Sequence, residues 1–369
     1  MPEKKYESIK ILKGAAILMV FLVHSSIYFQ NLNAVIYQIT RVGRWGCQAF
    51  FIVSGFTLAL SWKKRKPQKF TFFLKKRFER IAFYWYLAIV FYQSYEHFIS
   101  ISGYEPFTKI TTDKWNVLAT LFLLNGLSPT GFNSVVPGGW YIGTQWIFYL
   151  LFPAIIRVFE LFKRKKIDVR LLPLGALILS FVVQMSIAIW KGDTSQSGLH
   201  SYLQYSFINQ MPCFLSGVSL YYLFVEQKSC NKTHRTYGIR SIEMFAIASF
   251  AFYFLRNIPL VFVFVPTGYA LSFCYLFLWL ESMQEGRLLQ IKKGLIHCGN
   301  VSYEAYYANT VFTMILPFHI MQRYPDLFMS GTISYLICLP VMMAATFLAA
   351  HVMQHSDNWI KEKIEYHSI

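Results

Sequence analysis

Apolar segments of about 20 residues recur along the whole chain, and short polar or basic segments separate several of them. An α-helix needs about 20 predominantly apolar residues to cross the ~30 Å hydrocarbon core of a membrane. The pattern therefore predicts an all-α, polytopic membrane protein. The predicted spans are residues 9–30, 45–62, 80–98, 141–160, 171–190, 204–225, 241–256, 258–280, 302–321 and 331–353.

One further apolar segment, 114–127, is short for a span. The strongly basic segments 63–80 and 163–170 lie on either side of this part of the chain, and positive charge marks cytoplasmic loops. An even number of crossings must connect two cytoplasmic segments, and the spans at 80–98 and 141–160 already supply two. We therefore expect 114–127 to lie at the outer interface or to re-enter the membrane without crossing it.

Basic residues also lie close to both ends of the chain. Lys4, Lys5 and Lys10 lie at or before the start of the first span, and the segment 361–363 follows the last span. This distribution predicts that both termini are cytoplasmic. We predict about ten transmembrane helices in a single integral-membrane domain over residues 1–369.

The composition supports a membrane protein and argues against a soluble domain and against a nucleic-acid-binding protein. Hydrophobic residues make up 55% of the 369 residues and charged residues only 14%, whereas a soluble domain carries about a quarter charged residues. The net charge of +17 lies mainly in short loops between apolar segments, so it favours membrane topology over nucleic-acid binding. The six cysteines are scattered without metal-ligand spacing, so we expect no metal site.

A long uncharged stretch, NGLSPTGFNSVVPGGW, closes the predicted outer segment 99–140. Its Gly, Pro, Ser and Asn residues favour turns, which predicts a structured loop or a lid. An ordinary connector between two spans is the alternative interpretation.

The first predicted span carries two ionisable residues, Lys13 and His24. Eleven residues correspond to about three helical turns, so both side chains lie on one face, about 16 Å apart along the axis. Ionisable groups within spans are costly and usually functional. Alternatively, Lys13 reaches lipid headgroups and His24 is a hydrogen-bonding strut between helices. The small residues from Gly14 to Ala16 leave room for a slender group near the cytoplasmic end.

Four later segments complete a pattern with this first helix. They are GRWGCQAFFIVSGFTLAL (43–60), FFLKKRFERIAFYWY (72–86), GGWYIGTQWIFYLLFPAI (138–155) and GNVSYEAYYANTVF (299–312). In this order the set resembles the bacterial integral-membrane acyltransferases of acyltransferase family three, and the resemblance covers nearly the whole chain. Members of that family O-acylate glycans such as O-antigen, capsule, exopolysaccharide and nodulation factor.

The resemblance implies an enzyme of the bacterial cytoplasmic (inner) membrane with acyl-CoA, commonly acetyl-CoA, as co-substrate. It implies no bound cofactor, a glycan acceptor, and possible partners among glycan-assembly proteins. His24 matches the family's essential histidine, which is thought to act as a general base, and Lys13 matches its essential arginine. The other matches are Ser54, Gly55 and Phe56; Arg77 and Arg80; Trp140, Phe148, Tyr149 and Pro153; and Ser302 and Tyr303.

The chain departs from the family pattern at four positions. Lysine stands at position 13 where the family usually has arginine, so the positive charge remains but the planar guanidinium fork is absent. Gln145 replaces a frequent glutamate, Asn309 a frequent histidine and Phe83 a frequent proline. These departures indicate a divergent subfamily or reduced activity.

The resemblance and the predicted topology together suggest where the substrates bind. We expect Lys13, Lys76, Arg77 and Arg80 to bind the phosphates of acyl-CoA from the cytoplasm. The pantetheine arm would then pass Gly14 towards His24, and direct transfer or a covalent acyl-enzyme could follow. The residues expected at the acceptor or supporting it are Ser54, Gly55, Trp140, Gln145, Tyr149, Tyr303 and Asn309.

Two other functions fit a polytopic chain with an intramembrane charge. A transporter or flippase of a glycan precursor would carry charged residues and interrupted spans, although the sequence shows no two-half repeat. A catalytically weak scaffold of a glycan-assembly complex would fit the departures at Gln145 and Asn309.

Overall fold

The computed structural model describes residues 6–64, 69–191, 198–228, 230, 233–256, 258, 260–283, 289–326 and 331–366. Within these ranges the secondary structure is helical, without any strand. Lys4, Lys5 and part of the basic segment 63–80 lie outside the described residues, as do the side chains of 361–363.

The α-helices are numbered in chain order. They are α1 (Glu7–Ser25), α2 (Ala34–Val42), α3 (Gly46–Lys64), α4 (Phe70–Ser102), α5 (Lys114–Leu121), α6 (Trp140–Arg164), α7 (Leu171–Lys191), α8 (Gly198–Tyr205), α9 (Phe207–Tyr221), α10 (His234–Phe254), α11 (Val265–Glu281), α12 (Leu289–Asn300), α13 (Ser302–Thr310), α14 (Leu316–Arg323) and α15 (Thr332–Tyr366). Two π-helical segments, Tyr222–Glu226 and Val311–Ile315, follow α9 and α13.

Six helical segments of the described chain are long and apolar enough to cross a membrane. This result confirms the prediction of an all-α protein with several membrane-spanning helices. The six segments are Glu7–Ser25, Ala34–Lys64, Trp140–Arg164, Leu171–Lys191, Val261–Glu281 and Thr332–Trp359.

The other four predicted spans also fall on helices, but these helices are more polar or are interrupted. Helix α4 has 33 residues, and its first third is rich in Lys and Arg. Helix α10 begins with His234 and Arg235. The span predicted at 204–225 is divided between α8 and α9, and a π segment divides the span predicted at 302–321. A count of ten crossings therefore stays a prediction.

Several boundaries differ from the sequence prediction. The first span ends at Ser25 and not at residue 30, and α15 continues to Tyr366, beyond the predicted end at 353. Helices α2 and α12 were not predicted, because neither contains an apolar run of spanning length. The short segment 114–127 contains α5, an eight-residue helix, which is about 12 Å long and too short to cross a membrane.

The chain forms two compact units. Unit 1 comprises Met1–Cys47 and Glu285–Ile369, and unit 2 comprises Gln48–Gln284. In unit 1, a core cluster forms around Phe21, Phe29, Tyr335 and Met342. The Ser25 Oγ atom lies 3.1 Å from the Tyr335 hydroxyl, which joins α1 to α15.

The core of unit 2 is aromatic. Phe148 of α6 stacks on Phe214 of α9 with 4.6 Å between ring centroids. Phe51 of α3 packs edge-on against Phe148 at 5.5 Å. Because π faces and edges carry opposite partial charges, these pairs add specific contacts to the burial of apolar area.

The segment between α4 and α6 is ordered by side-chain to backbone hydrogen bonds, as the predicted structured loop requires. The Asn125 amide donates to the carbonyl oxygens of Phe132 and Gly139, both at 3.1 Å. The indole N–H of Trp85 donates to the Thr120 carbonyl at 2.9 Å. These bonds satisfy backbone groups that a loop otherwise leaves to water.

Candidate active site

Helix α1 carries both ionisable residues of the first span and packs closely against α12. A Cβ atom on Gly14 would collide with the carbonyl oxygen of Leu295, and one on Gly299 would collide with the carbonyl oxygen of Lys10. Glycine at both positions therefore lets the two backbones touch. The expectation that Gly14 leaves a passage for a pantetheine arm was wrong, because α12 fills the space beside it.

The imidazole of His24 lies in the last turn of α1, one residue before its end, and is partly exposed. Its Nδ1 atom lies 2.5 Å from the side-chain amide nitrogen of Asn309 in α13. Asn309 is completely buried. Two residues that are 285 positions apart in the sequence thus form one hydrogen-bonded pair within unit 1.

A buried hydroxyl extends this pair. The Thr313 Oγ1 atom lies 2.7 Å from the Asn309 carbonyl oxygen and 3.3 Å from the Asn309 Oδ1 atom. Thr313 belongs to the π segment Val311–Ile315. Pro317 gives a physical reason for this wider turn, because proline lacks an N–H and crowds the carbonyl four residues earlier. Single π turns occur frequently at functional sites.

Lys13 lies in the first half of α1 and is partly exposed. The helix is continuous from Glu7 to Ser25, so Lys13 and His24 remain on one face with about 16 Å between them along the axis. The same unit contains Tyr303, whose hydroxyl lies 3.2 Å from that of Tyr307 one turn later.

In unit 2, the segment Ser54-Gly55-Phe56 is used for packing and for one polar contact. The Gln145 amide donates to the Ser54 hydroxyl at 2.8 Å. A Cβ atom on Gly55 would collide with the carbonyl oxygen of Phe214, so this glycine brings α3 close to α9. Phe56 packs against Phe277 at 4.8 Å between ring centroids.

The predicted donor-binding residues of α4 differ in exposure. Lys76 and Arg80 are exposed, whereas Arg77 is partly buried. The Arg77 guanidinium lies 6.0 Å from the centroid of the Tyr149 ring, a distance at the limit of a cation–π contact. The structure thus brings together two predicted site residues, Arg77 and Tyr149.

Trp140, which the sequence suggested for contact with a sugar, is 8% exposed. Its ring lies 4.5 Å from that of Tyr205, centroid to centroid. The face towards Tyr205 is covered, so its role at the acceptor stays a prediction.

One charged cluster of unit 2 was missed by the sequence analysis. Lys63 of α3 forms ion pairs with Glu160 of α6 and with Glu226 of the π segment after α9. Glu226 also pairs with Lys163, and the Tyr222 hydroxyl donates to Glu160. These residues come from three distant segments, so only the fold reveals that their charges compensate one another.

The fold and this geometry define a class: a multi-pass membrane protein with a hydrogen-bonded histidine inside a membrane-spanning helix. Comparison with known protein families then identifies the family of the chain. It belongs to acyltransferase family three, because that family's sequence profile, described as an acyltransferase domain, matches residues 6–351. The match confirms the resemblance drawn from the sequence and makes the protein a membrane acyltransferase. No curated protein and no solved structure is significantly similar to the chain.

Proposed function

We propose that this protein transfers an acyl group, in the first instance acetyl, from cytoplasmic acyl-CoA to a glycan hydroxyl. The acceptor is an extracytoplasmic or lipid-linked cell-surface glycan, and the enzyme works in the bacterial inner membrane. The observation that carries the proposal is His24, a partly exposed imidazole in the first spanning helix whose Nδ1 atom is held by Asn309.

The proposed reaction is a direct transfer. The attacking hydroxyl oxygen forms a bond to the thioester carbonyl carbon, and the carbon–sulfur bond then breaks. His24 takes the hydroxyl proton as general base and returns it to the CoA sulfur, so protons balance and no oxidant or metal is required. General-base catalysis of this kind contributes about 10²–10⁴-fold to rate.

Basic residues in each unit support an anionic donor. Lys13 of unit 1 keeps a positive charge where related enzymes usually have arginine. Lys76 and Arg80 of unit 2 are exposed, so their charge is available to phosphate groups. We propose that Lys76 and Arg80 attract the nucleotide part of acyl-CoA to unit 2, and that Lys13 supplies positive charge on the helix of unit 1 that carries His24.

Amides and hydroxyls support a neutral, hydroxyl-rich acceptor. Ser54 and Gln145 form a partly buried hydrogen-bonded pair in unit 2, and groups of this kind bind sugar hydroxyls without a charge. Gly55 follows Ser54 in the sequence and Tyr149 lies four residues after Gln145. Tyr303 offers a hydroxyl in unit 1.

The test is mass spectrometry of the surface glycans of cells with and without the protein. We expect a mass difference equal to one acyl group per modified sugar, which also identifies the acyl group and its acceptor. A glycan whose amount changes but whose mass does not would favour the flippase. Purified protein that neither transfers acyl groups nor hydrolyses acyl-CoA would favour the scaffold.

A further inference from the structure

The amide of Asn309 lies between two polar partners that are both in unit 1. As placed, its Nδ2 atom faces His24 Nδ1 at 2.5 Å, and its Oδ1 atom faces Thr313 Oγ1 at 3.3 Å. The nitrogen and oxygen ends of an amide have nearly the same shape, so the surrounding hydrogen bonds decide which end faces which partner.

Counting protons favours the opposite placement. The Thr313 hydroxyl has one proton, and its shortest contact is the Asn309 backbone carbonyl oxygen at 2.7 Å, which can only accept. That proton is therefore used, so the amide end near Thr313 should itself donate. If Nδ2 faces Thr313, it donates to the Thr313 hydroxyl oxygen. Oδ1 then faces His24 and accepts from Nδ1–H, so every donor meets an acceptor.

We infer that Asn309 and Thr313 are positioning residues that hold the proton of neutral His24 on Nδ1. This inference rests on the proposed function, because it explains how His24 becomes a base. Thr313 orients the amide, the amide oxygen accepts from Nδ1–H, and Nε2 keeps a free lone pair. The opposite orientation would place the proton on Nε2 and leave that nitrogen unable to accept one.

Burial of Asn309 and Thr313 favours one orientation of the Asn309 amide over the other. Asn309 and Thr313 are both 0% exposed, so water does not compete for their hydrogen bonds, and an unpaired group there costs about 1–3 kcal/mol. His24 is partly exposed, so its ring remains accessible to substrate. The orienting groups are therefore sheltered, while the nitrogen that they control can meet the reacting hydroxyl.

The experiment compares two substitutions at one position. Thr313→Val keeps the shape of the side chain but removes the hydroxyl, whereas Thr313→Ser keeps the hydroxyl. We expect Thr313→Val to lower kcat by about tenfold with KM nearly unchanged, and Thr313→Ser to retain most of kcat. Thr346→Val is the matched control and should leave kcat unchanged, because this buried hydroxyl has no hydrogen-bond partner among the described residues.

A second measurement does not depend on catalysis. ¹⁵N NMR of histidine-labelled protein separates the two neutral tautomers, and the His24 signals are assigned by their loss in His24→Ala. We expect the Nδ1–H form in the wild type and in Thr313→Ser, and a mixture in Thr313→Val.

The outcomes separate this inference from the proposed function. A wild-type His24 that carries its proton on Nε2 would overturn the inference even if glycan acylation is found. The expected tautomers in a protein without acyl transfer would keep the inference and overturn the function. Equal kcat and equal tautomers in the Val and Ser variants would show that Thr313 does not orient the amide.

Discussion

The two units use glycine in the same way but place their polar groups differently. In unit 1, the polar pair at the glycine-packed helix α1 contains an ionisable imidazole, that of His24, and one amide. In unit 2, the polar pair at the glycine-packed helix α3 is neutral, a glutamine with a serine. Four charged residues of unit 2 instead form a cluster of ion pairs: Lys63, Glu160, Lys163 and Glu226.

This difference indicates that the polar groups of the two units have different roles. A neutral imidazole is the side chain best suited to moving a proton near neutral pH, so unit 1 has the group that the proposed transfer requires. Neutral amides and compensated ion pairs hold helices together and bind polar ligands, so the described part of unit 2 is suited to structure and recognition. The same close helix packing supports both.

The largest effect should come from the imidazole. His24→Ala should lower acyl transfer by about 10²–10⁴-fold, because it removes the proposed general base, while folded protein remains in the membrane. Transfer is measured with purified protein, acyl-CoA and glycan. His319→Ala changes another partly buried histidine of unit 1 and should retain activity. Normal transfer by the His24 variant would remove the chemical distinction between the units.

The next largest effect tests the close helix packing at glycine that the two units share. Gly14→Ala in unit 1 and Gly55→Ala in unit 2 should each lower the free energy of unfolding by about 1–3 kcal/mol, because backbone oxygens occupy the Cβ positions. Thermal unfolding in detergent measures the change.

Matched glycines provide the controls for that comparison. At Gly294 of α12 and Gly175 of α7, the described part of the chain places no atom within 4 Å of an added Cβ, apart from chain neighbours and the backbone of the same helix. Replacing either by alanine should change stability by no more than about 1 kcal/mol. Losses as large at these sites as at Gly14 and Gly55 would mean that glycine contributes through flexibility and not through close packing.

A smaller effect tests the ion-pair cluster of unit 2. Glu160→Gln should cost about 1–2 kcal/mol of unfolding free energy, because it weakens the bonds from Lys63 and Tyr222 to a partly buried carboxylate. Chemical unfolding in detergent checks this value. Glu243→Gln affects an exposed pair with Arg240 and should cost about 0–1 kcal/mol. Equal costs would show that the cluster acts as ordinary surface pairs.

The smallest effect concerns the loop between α6 and α7. A hydrogen bond from Arg170 lowers the pKa of Asp168 below its ordinary value of 3.8. The pair therefore stabilises the folded state above that ordinary pKa, which holds in the unfolded chain, and this stabilisation is lost as pH falls through the lower folded pKa. Because both side chains are well exposed, Asp168→Asn should cost about 0–1 kcal/mol at neutral pH. Stability measured against pH should show no difference from wild type in strong acid.

The sequence analysis predicted the elements that depend on local composition. Apolar runs and loop charges were enough to place helices at each predicted span, and the spacing from Lys13 to His24 identified α1 as the unusual helix. The late segment 299–312 was recognised by resemblance, and it supplies Asn309. Helix α12 was missed because its sequence, LQIKKGLIHCGN, alternates apolar and basic residues over only 12 positions.

The roles of particular residues could not be obtained in the same way. Gly14 was interpreted as open space, yet α12 occupies it. Asn309 was expected at the acceptor or supporting it, and only the structure shows that its amide is bonded to His24. Both contacts join segments that are far apart in the chain, and a single sequence contains no direct record of such contacts.

The sequence by itself therefore determined that this protein is a helical membrane protein with a histidine in its first span. Those properties follow from hydropathy, charge and helical periodicity, which act over tens of residues. Only the tertiary structure decided which helix covers Gly14, which amide holds His24, and which carboxylates compensate Lys63. The physical reason is that packing and hydrogen bonds depend on distances in space, and the fold sets those distances for residues that the chain separates by hundreds of positions.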